Sequence, residues 1–145
     1  MNVGYLGAAS VLVAVVAGCA SGPETGNWQA GGMAPGTAQL SIDGATTGQV
    51  EAVKCIQSKH TTAITIGAED PVAAATISNL DDLTVDWVRL RDENGFTGSY
   101  NAGLGGQAQV ALTGSAYQIS GVASGFNVVN PSRPTTAEFV IEVAC

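Results

Sequence analysis

Between Thr37 and Cys145 apolar residues recur at every second position, in short runs separated by glycine, proline, asparagine and aspartate. A period of two sends alternate side chains to opposite faces of an extended chain, so each run reads as a strand with one buried face. Ala38, Leu40 and Ile42 form the first such face and lead into the turn-like Asp43-Gly44. A second strand is predicted over 49–56, a third over Thr62, Ile64 and Ile66, and a fourth over 72–78 with small alanines inside. Leu83, Val85 and Trp87 share one face of a fifth that continues to Arg91, and Phe96 and Tyr100 share a face of a sixth. Between those two, Asp92-Glu93-Asn94-Gly95 signals a hairpin, because Asn-Gly accepts positive φ.

Ala108, Val110 and Leu112 mark a seventh strand and Tyr117 and Ile119 an eighth, joined by a turn at Thr113-Gly114-Ser115. Pro131 and Pro134 argue against regular pairing over 128–136, since proline has no N–H to give a ladder. The chain closes on Phe139, Ile141, Val143 and Cys145, with Glu138 and Glu142 on the other side. Eight or nine short strands at roughly ten-residue spacing, and no long helical period, predict an all-β antiparallel sandwich or flattened barrel.

The N-terminal part follows another rule. No charged residue precedes Glu24, and the uncharged run of about 15 apolar or small residues is short for a bilayer span and ends in small side chains. It reads as an export signal over 1–18. Residues 19–36 hold five glycines and two prolines without periodicity, the composition of a flexible tether, and the folded domain is expected over 37–145.

Val16-Ala17-Gly18-Cys19 resembles the bacterial lipobox, an apolar and two small residues before a cysteine. Small side chains admit the signal peptidase to the backbone, and the Cys19 thiol is the nucleophile that takes a diacylglyceryl group before cleavage. The expected covalent groups are diacylglycerol and an N-acyl chain on Cys19, with no dissociable cofactor. Two or three acyl chains exceed the marginal binding that one chain provides, at about 0.8 kcal/mol per buried CH₂, so the expected partner is the membrane itself.

Three cysteines are present, and an odd thiol in an exported chain needs a fate. Acylation accounts for Cys19. Cys55 and Cys145 remain, each in strand-like sequence, either as a bridge that an oxidising compartment would preserve or as two buried thiols. No CxxC spacing offers a zinc or redox motif.

The formal charge of −7 leaves Lys54, Lys59, Arg89, Arg91 and Arg133 as scattered positives, too few to neutralise a row of phosphates, so nucleic acid is excluded as a partner. His60 is the only histidine and follows Lys59 in a turn; without a GxSxG elbow it reads as a solvated loop residue. The acidic pairs at Glu69, Asp81 and Asp92 lack the alternating spacing of a calcium loop and read as solvated turns, with no metal site. Gly103-Leu104-Gly105-Gly106 precedes strand-like sequence, not the helix a phosphate loop requires. One apolar site is conceivable. Leu83, Val85, Trp87, Phe96, Tyr100 and Phe126 would line a gap between sheets able to take an acyl chain, unless they are simply core.

Near the C-terminus the sequence becomes specific. Tyr117-Gln118-Ile119-Ser120-Gly121, Ala123-Ser124-Gly125, Asn130-Pro131, Pro134 and Phe139-Val140-Ile141-Glu142-Val143-Ala144-Cys145 resemble the closing motif of the mycobacterial nineteen-kilodalton lipoprotein antigens. The similarity reaches back through Ser41-Ile42-Asp43-Gly44, Val53-Lys54-Cys55 and Ile64-Thr65-Ile66-Gly67, and includes the lipobox cysteine. The resemblance implies a cell-envelope lipoprotein seen by host innate receptors through its acyl group, with Cys55 and Cys145 paired. The archetype's tether is Thr-rich and O-glycosylated, whereas Ser21 and Thr25 are the only hydroxyl residues between Cys19 and Gly36, so glycosylation is not carried over.

The expectation is therefore a non-catalytic lipoprotein, anchored on the extracytoplasmic face, exposed or shed, with a structural, antigenic or host-interaction role. The alternative is a carrier that holds an envelope lipid or glycolipid in the apolar gap.

Overall fold

The computed structural model describes residues 32–145, so Cys19, the signal segment and most of the tether lie outside the described residues. Among the described residues there are ten strands and no α-helix. They are β1 (Thr37–Ile42), β2 (Ala45–Thr46), β3 (Val53–Ser58), β4 (Thr61–Ile66), β5 (Ala73–Ser78), β6 (Thr84–Glu93), β7 (Phe96–Asn101), β8 (Ala108–Thr113), β9 (Ala116–Asn127) and β10 (Asn130–Ala144). All pairings are antiparallel and form one sheet in the order β2-β1-β10-β9-β7-β6-β5-β4-β3, with β8 also on β9.

Two long strands organise this sheet. β10 pairs with β9 along nearly its whole length, and its last six residues before Cys145 also pair with β1, Thr37 against Ala144 through Ile42 against Phe139. On its other side β9 changes partner: Ala116–Gly121 face β8, and Ser124–Asn127 face β7. Glycine makes the exchange possible, since a Cβ at Gly121 would collide with the Gln107 carbonyl oxygen and one at Gly125 with that of Thr97. Only a residue without a side chain lets the backbones approach so closely.

The sheet curls around one core. Ala38, Leu40 and Ile42 from β1 join Ile64 and Ile66 from β4 in the same buried cluster, although β1 and β4 stand near opposite ends of the strand order. Phe139, Ile141 and Val143 of β10 and Ile119 of β9 lie among them. Burial of each such side chain stabilises by about 1.5–3 kcal/mol before conformational entropy is counted.

The alternation reproduces most strands, with three differences. The predicted strand over 49–56 is divided: Val50 bridges back to Ala38, whereas Val53–Ser58 pairs with β4, because this segment crosses from one end of the sheet to the other. β10 begins at Asn130 and contains both prolines; its register on β9 shifts between Asn130 and Pro134, beyond the part that β1 covers, where a missing N–H is tolerated. Most consequential is a bulge in β6. Thr76 pairs with Trp87 but Ile77 with Val85, so Asp86 is an extra residue. One inserted residue reverses the side-chain phase, and Val88 and Leu90, not Trp87, continue the buried face that Val85 begins.

The hairpin signals are met. Asn94 and Gly95 have φ of 51° and 78° between the paired Glu93 and Phe96, and Asp43 and Gly44 have 48° and 81° between Ile42 and Ala45. Two residues with positive φ give the turn whose twist matches a hairpin.

The edge strand β3 is also joined covalently to the end of β10, from the other side of the strand order. Cys55 in β3 bonds Cys145 just beyond β10, S–S 2.00 Å with Cα atoms 5.9 Å apart, across 90 residues of sequence. Closing a loop of that length restricts the unfolded chain by about 4–5 kcal/mol in the chain-entropy picture.

Among the described residues one ionisable side chain is buried. Glu93, 8% exposed, lies beneath the β6–β7 turn with Oε2 lacking a hydrogen-bond partner. Burial raises its pKa above 4.5, the Thr47 hydroxyl opposes that by hydrogen bonding, and neighbouring Asp92 adds to the rise. The Thr47 hydroxyl is also placed to donate to the Leu40 carbonyl at 3.1 Å, and it has a single proton for both. The expected solvated turn at Asp92-Glu93 thus holds only for Asp92, because the bulged register turns Glu93 inward opposite Phe96.

Two outcomes follow for stability. Unreduced protein should offer no free thiol at Cys55 or Cys145, and the Cys55→Ser/Cys145→Ser variant should melt roughly 10–25 °C lower by calorimetry, matching about 2–5 kcal/mol. Quantitative alkylation without reductant would refute the bridge. For Glu93 the folded-state pKa exceeds the unfolded one, so its favourable contribution is complete below the ordinary carboxylate range and is lost as pH rises through the folded value. Glu93→Gln should therefore melt higher than the parent at pH 7, with the difference shrinking in acid; equal melting curves at both pH values would contradict this.

Candidate functional site

The chain enters its fold at the corner where the sheet is bonded shut. The Gly36 N–H donates to the Ala144 carbonyl at 2.8 Å, Thr37 pairs with Ala144, and the Cys145 N–H donates to the Ser115 carbonyl at 3.1 Å. Alternation in β1 and β10 brings these termini together, and Cys145 then reaches Cys55. Whatever is attached upstream of Gly36 is thus joined to a corner fixed by backbone ladder and disulfide together.

The six side chains proposed to line an apolar gap are not brought together. Val85 and Phe96 are core residues, 4% and 3% exposed, and Leu83 and Tyr100 pack half-buried against that core. Trp87 stands on the outer face because of the Asp86 bulge, with the Arg89 guanidinium 5.7 Å from its ring centroid. Phe126 is also outward, since its neighbours Ala123 and Gly125 take the inward phase of β9. Tyr100 borders a separate hollow of about 580 Å³ with Gln109, Val122 and Phe139.

The larger depression is on the outer face of β4, β5, β6, β7 and β9. Thr65, Ala74, Arg89, Ser99 and Ser124 are successive cross-strand partners, forming one row across five strands. With Arg91, Thr97 and Phe126 alongside, they border a groove of about 660 Å³. Trp87, Arg89 and Arg91 lie two residues apart, so the pleat directs all three to this face. Arg91 Nη1 meets Asp70 Oδ1 at 3.1 Å, but both side chains are well exposed, and such a pair contributes little to stability. Sequence reasoning missed this row because serine, threonine and alanine at alternate strand positions look like any solvated face. Only the register joins them.

The remaining sequence candidates stay apart. His60 is exposed in the β3–β4 turn, where its carbonyl accepts the Asn79 N–H at 2.8 Å. Gly103, Gly105 and Gly106, with φ of 83°, 103° and 75°, form the β7–β8 connection and lead into β8. Among the described residues no three His, Cys, Asp or Glu side chains gather as metal ligands.

Comparison with known proteins assigns the chain to a family. Residues 31–145 match the family model described as Mycobacterium 19 kDa lipoprotein antigen. Lipoprotein LpqH of Mycobacterium avium is 33% identical over 147 residues, covering 93% of this chain and 91% of the relative. Lipoprotein LpqH of Mycobacterium tuberculosis is 33% identical over 147 residues, covering 94% and 92%. This chain, whose antiparallel β-sheet is bridged by Cys55 and Cys145, thus belongs to the mycobacterial 19 kDa lipoprotein antigen family.

Proposed function

We propose that this chain is a lipid-anchored envelope antigen whose attachment chemistry resides at Cys19 and whose folded domain has a structural or host-interaction role, not a catalytic one. The observation that carries the reading is the Val16-Ala17-Gly18-Cys19 tetrapeptide, set at the end of an uncharged run in a member of a lipoprotein antigen family. A thioether-linked diacylglyceryl group and an N-acyl chain on Cys19 would hold the protein on the extracytoplasmic side of the membrane. β1 starts at Thr37, well downstream of Cys19, so acylation leaves the strand ladder untouched. When the protein is shed, the same acyl chains become the ligand for host innate lipoprotein receptors.

Fatty-acid labelling of cells expressing the full chain tests the anchor. Cys19→Ala should lose labelling, move from the membrane to the soluble fraction, and fail to stimulate reporter cells bearing a lipoprotein receptor. Persistent membrane partitioning of that variant would sink the proposal. Unchanged receptor stimulation would instead assign recognition to the folded domain.

A further inference from the structure

The outer groove is an inversion of the protein's own charge. The chain carries twelve Asp and Glu against five Lys and Arg, yet two arginines and no carboxylate line the groove, and Asp70 reaches its edge only through the pair with Arg91. Arg89 has no carboxylate partner among the described residues and is steadied against Trp87. Arg91 is held only by Asp70, itself 93% exposed, so a more strongly charged anion can take its place. A guanidinium presents a planar fork of donors that matches two phosphate oxygens.

The floor specifies what accompanies that anion. Thr65, Ser99 and Ser124 place hydroxyls in line with Arg89, and Thr97 another beside Phe126; Ser99 Oγ accepts from Asn101 Nδ2 at 3.3 Å and Thr97 Oγ1 from the Asp92 N–H at 3.0 Å, which leaves both hydroxyl protons to donate. Adjacent strands lie about 4.8 Å apart, so the row from Thr65 to Ser124 spans about 19 Å, the reach of a short chain of sugars and more than a single ring needs. Hydroxyls both donate and accept, as sugar hydroxyls require, and the half-buried Phe126 ring at the groove's border suits the apolar face of a pyranose. A fatty chain would give these hydroxyl protons no acceptor, and a nucleic acid would meet too few cations.

We propose that this groove binds a phosphate-bearing oligosaccharide, with Arg89 and Arg91 taking the phosphate and the row of hydroxyls the sugars. The site is independent of Cys19 acylation and belongs to the folded domain.

The test is an NMR titration of the isotope-labelled full chain in detergent with three probes: a phosphorylated hexose oligosaccharide, the same oligosaccharide after phosphatase treatment, and inorganic phosphate. The first should shift the amides of Thr65, Arg89, Ser99 and Ser124. Removing its phosphate should weaken binding about tenfold or more, as should Arg89→Gln, whereas Arg133→Gln, outside the groove, should leave it unchanged. Ser124→Leu, which fills the floor without altering charge, should also abolish binding. Equal affinity for the dephosphorylated sugar would overturn the role of the arginines. Equal affinity for inorganic phosphate would overturn the role of the hydroxyl row. Shifts confined to other surfaces, or no binding of the phosphorylated probe, would overturn the site.

Discussion

The ladder between β9 and β10 is the element on which the other strands are hung. β10 gives one edge to β1 and the other to β9, while β9 divides its free edge between β8 and β7. Phe139, Ile141 and Val143 on β10 therefore face Gly121, Ile119 and Tyr117 on β9 and Ile42, Leu40 and Ala38 on β1 in a continuous apolar layer. A one-residue slip would turn this whole layer to solvent, and that penalty fixes the register. The glycines at 121 and 125 cost packing locally and gain the close approach that lets one strand serve two neighbours.

Where local pattern decided the outcome, it was readable. Ala38, Leu40 and Ile42 are buried as their alternation demands, and Asn94-Gly95 turns as its backbone preferences demand. Cysteine parity pointed to Cys55 and Cys145 because a covalent pair obeys counting, though counting alone left free thiols open. Trp87 resisted because nothing local distinguishes an inserted Asp86 from an ordinary strand residue; the bulge exists only in relation to β5. Glu93 resisted for the same reason, since its burial follows from register shift and from the Thr47 segment above it. The groove was invisible because its row is assembled from strands far apart in sequence.

The point where the chain enters the fold and the outer groove are physically separate. The first lies at Gly36 beside Ala144, while the outer groove is formed by β4 to β7 with β9. The groove's lining includes the core residues Ala73 and Leu90, so its floor is held by the same packing that fills the apolar layer. Against the overall negative charge the two groove arginines stand out from their surroundings.

The position of the disulfide has a bearing on proteolysis. Every connection from the β3–β4 turn to the β9–β10 turn lies inside the loop that Cys55 and Cys145 close. Exposed loop tips such as Leu104, and the Val128-Val129 turn, are where a protease would first cut. A single cut at either place would leave the C-terminal fragment bonded to Cys55 and thereby to everything upstream. The nicked chain would remain one covalent body, releasing its fragment only when the cut is joined by reduction.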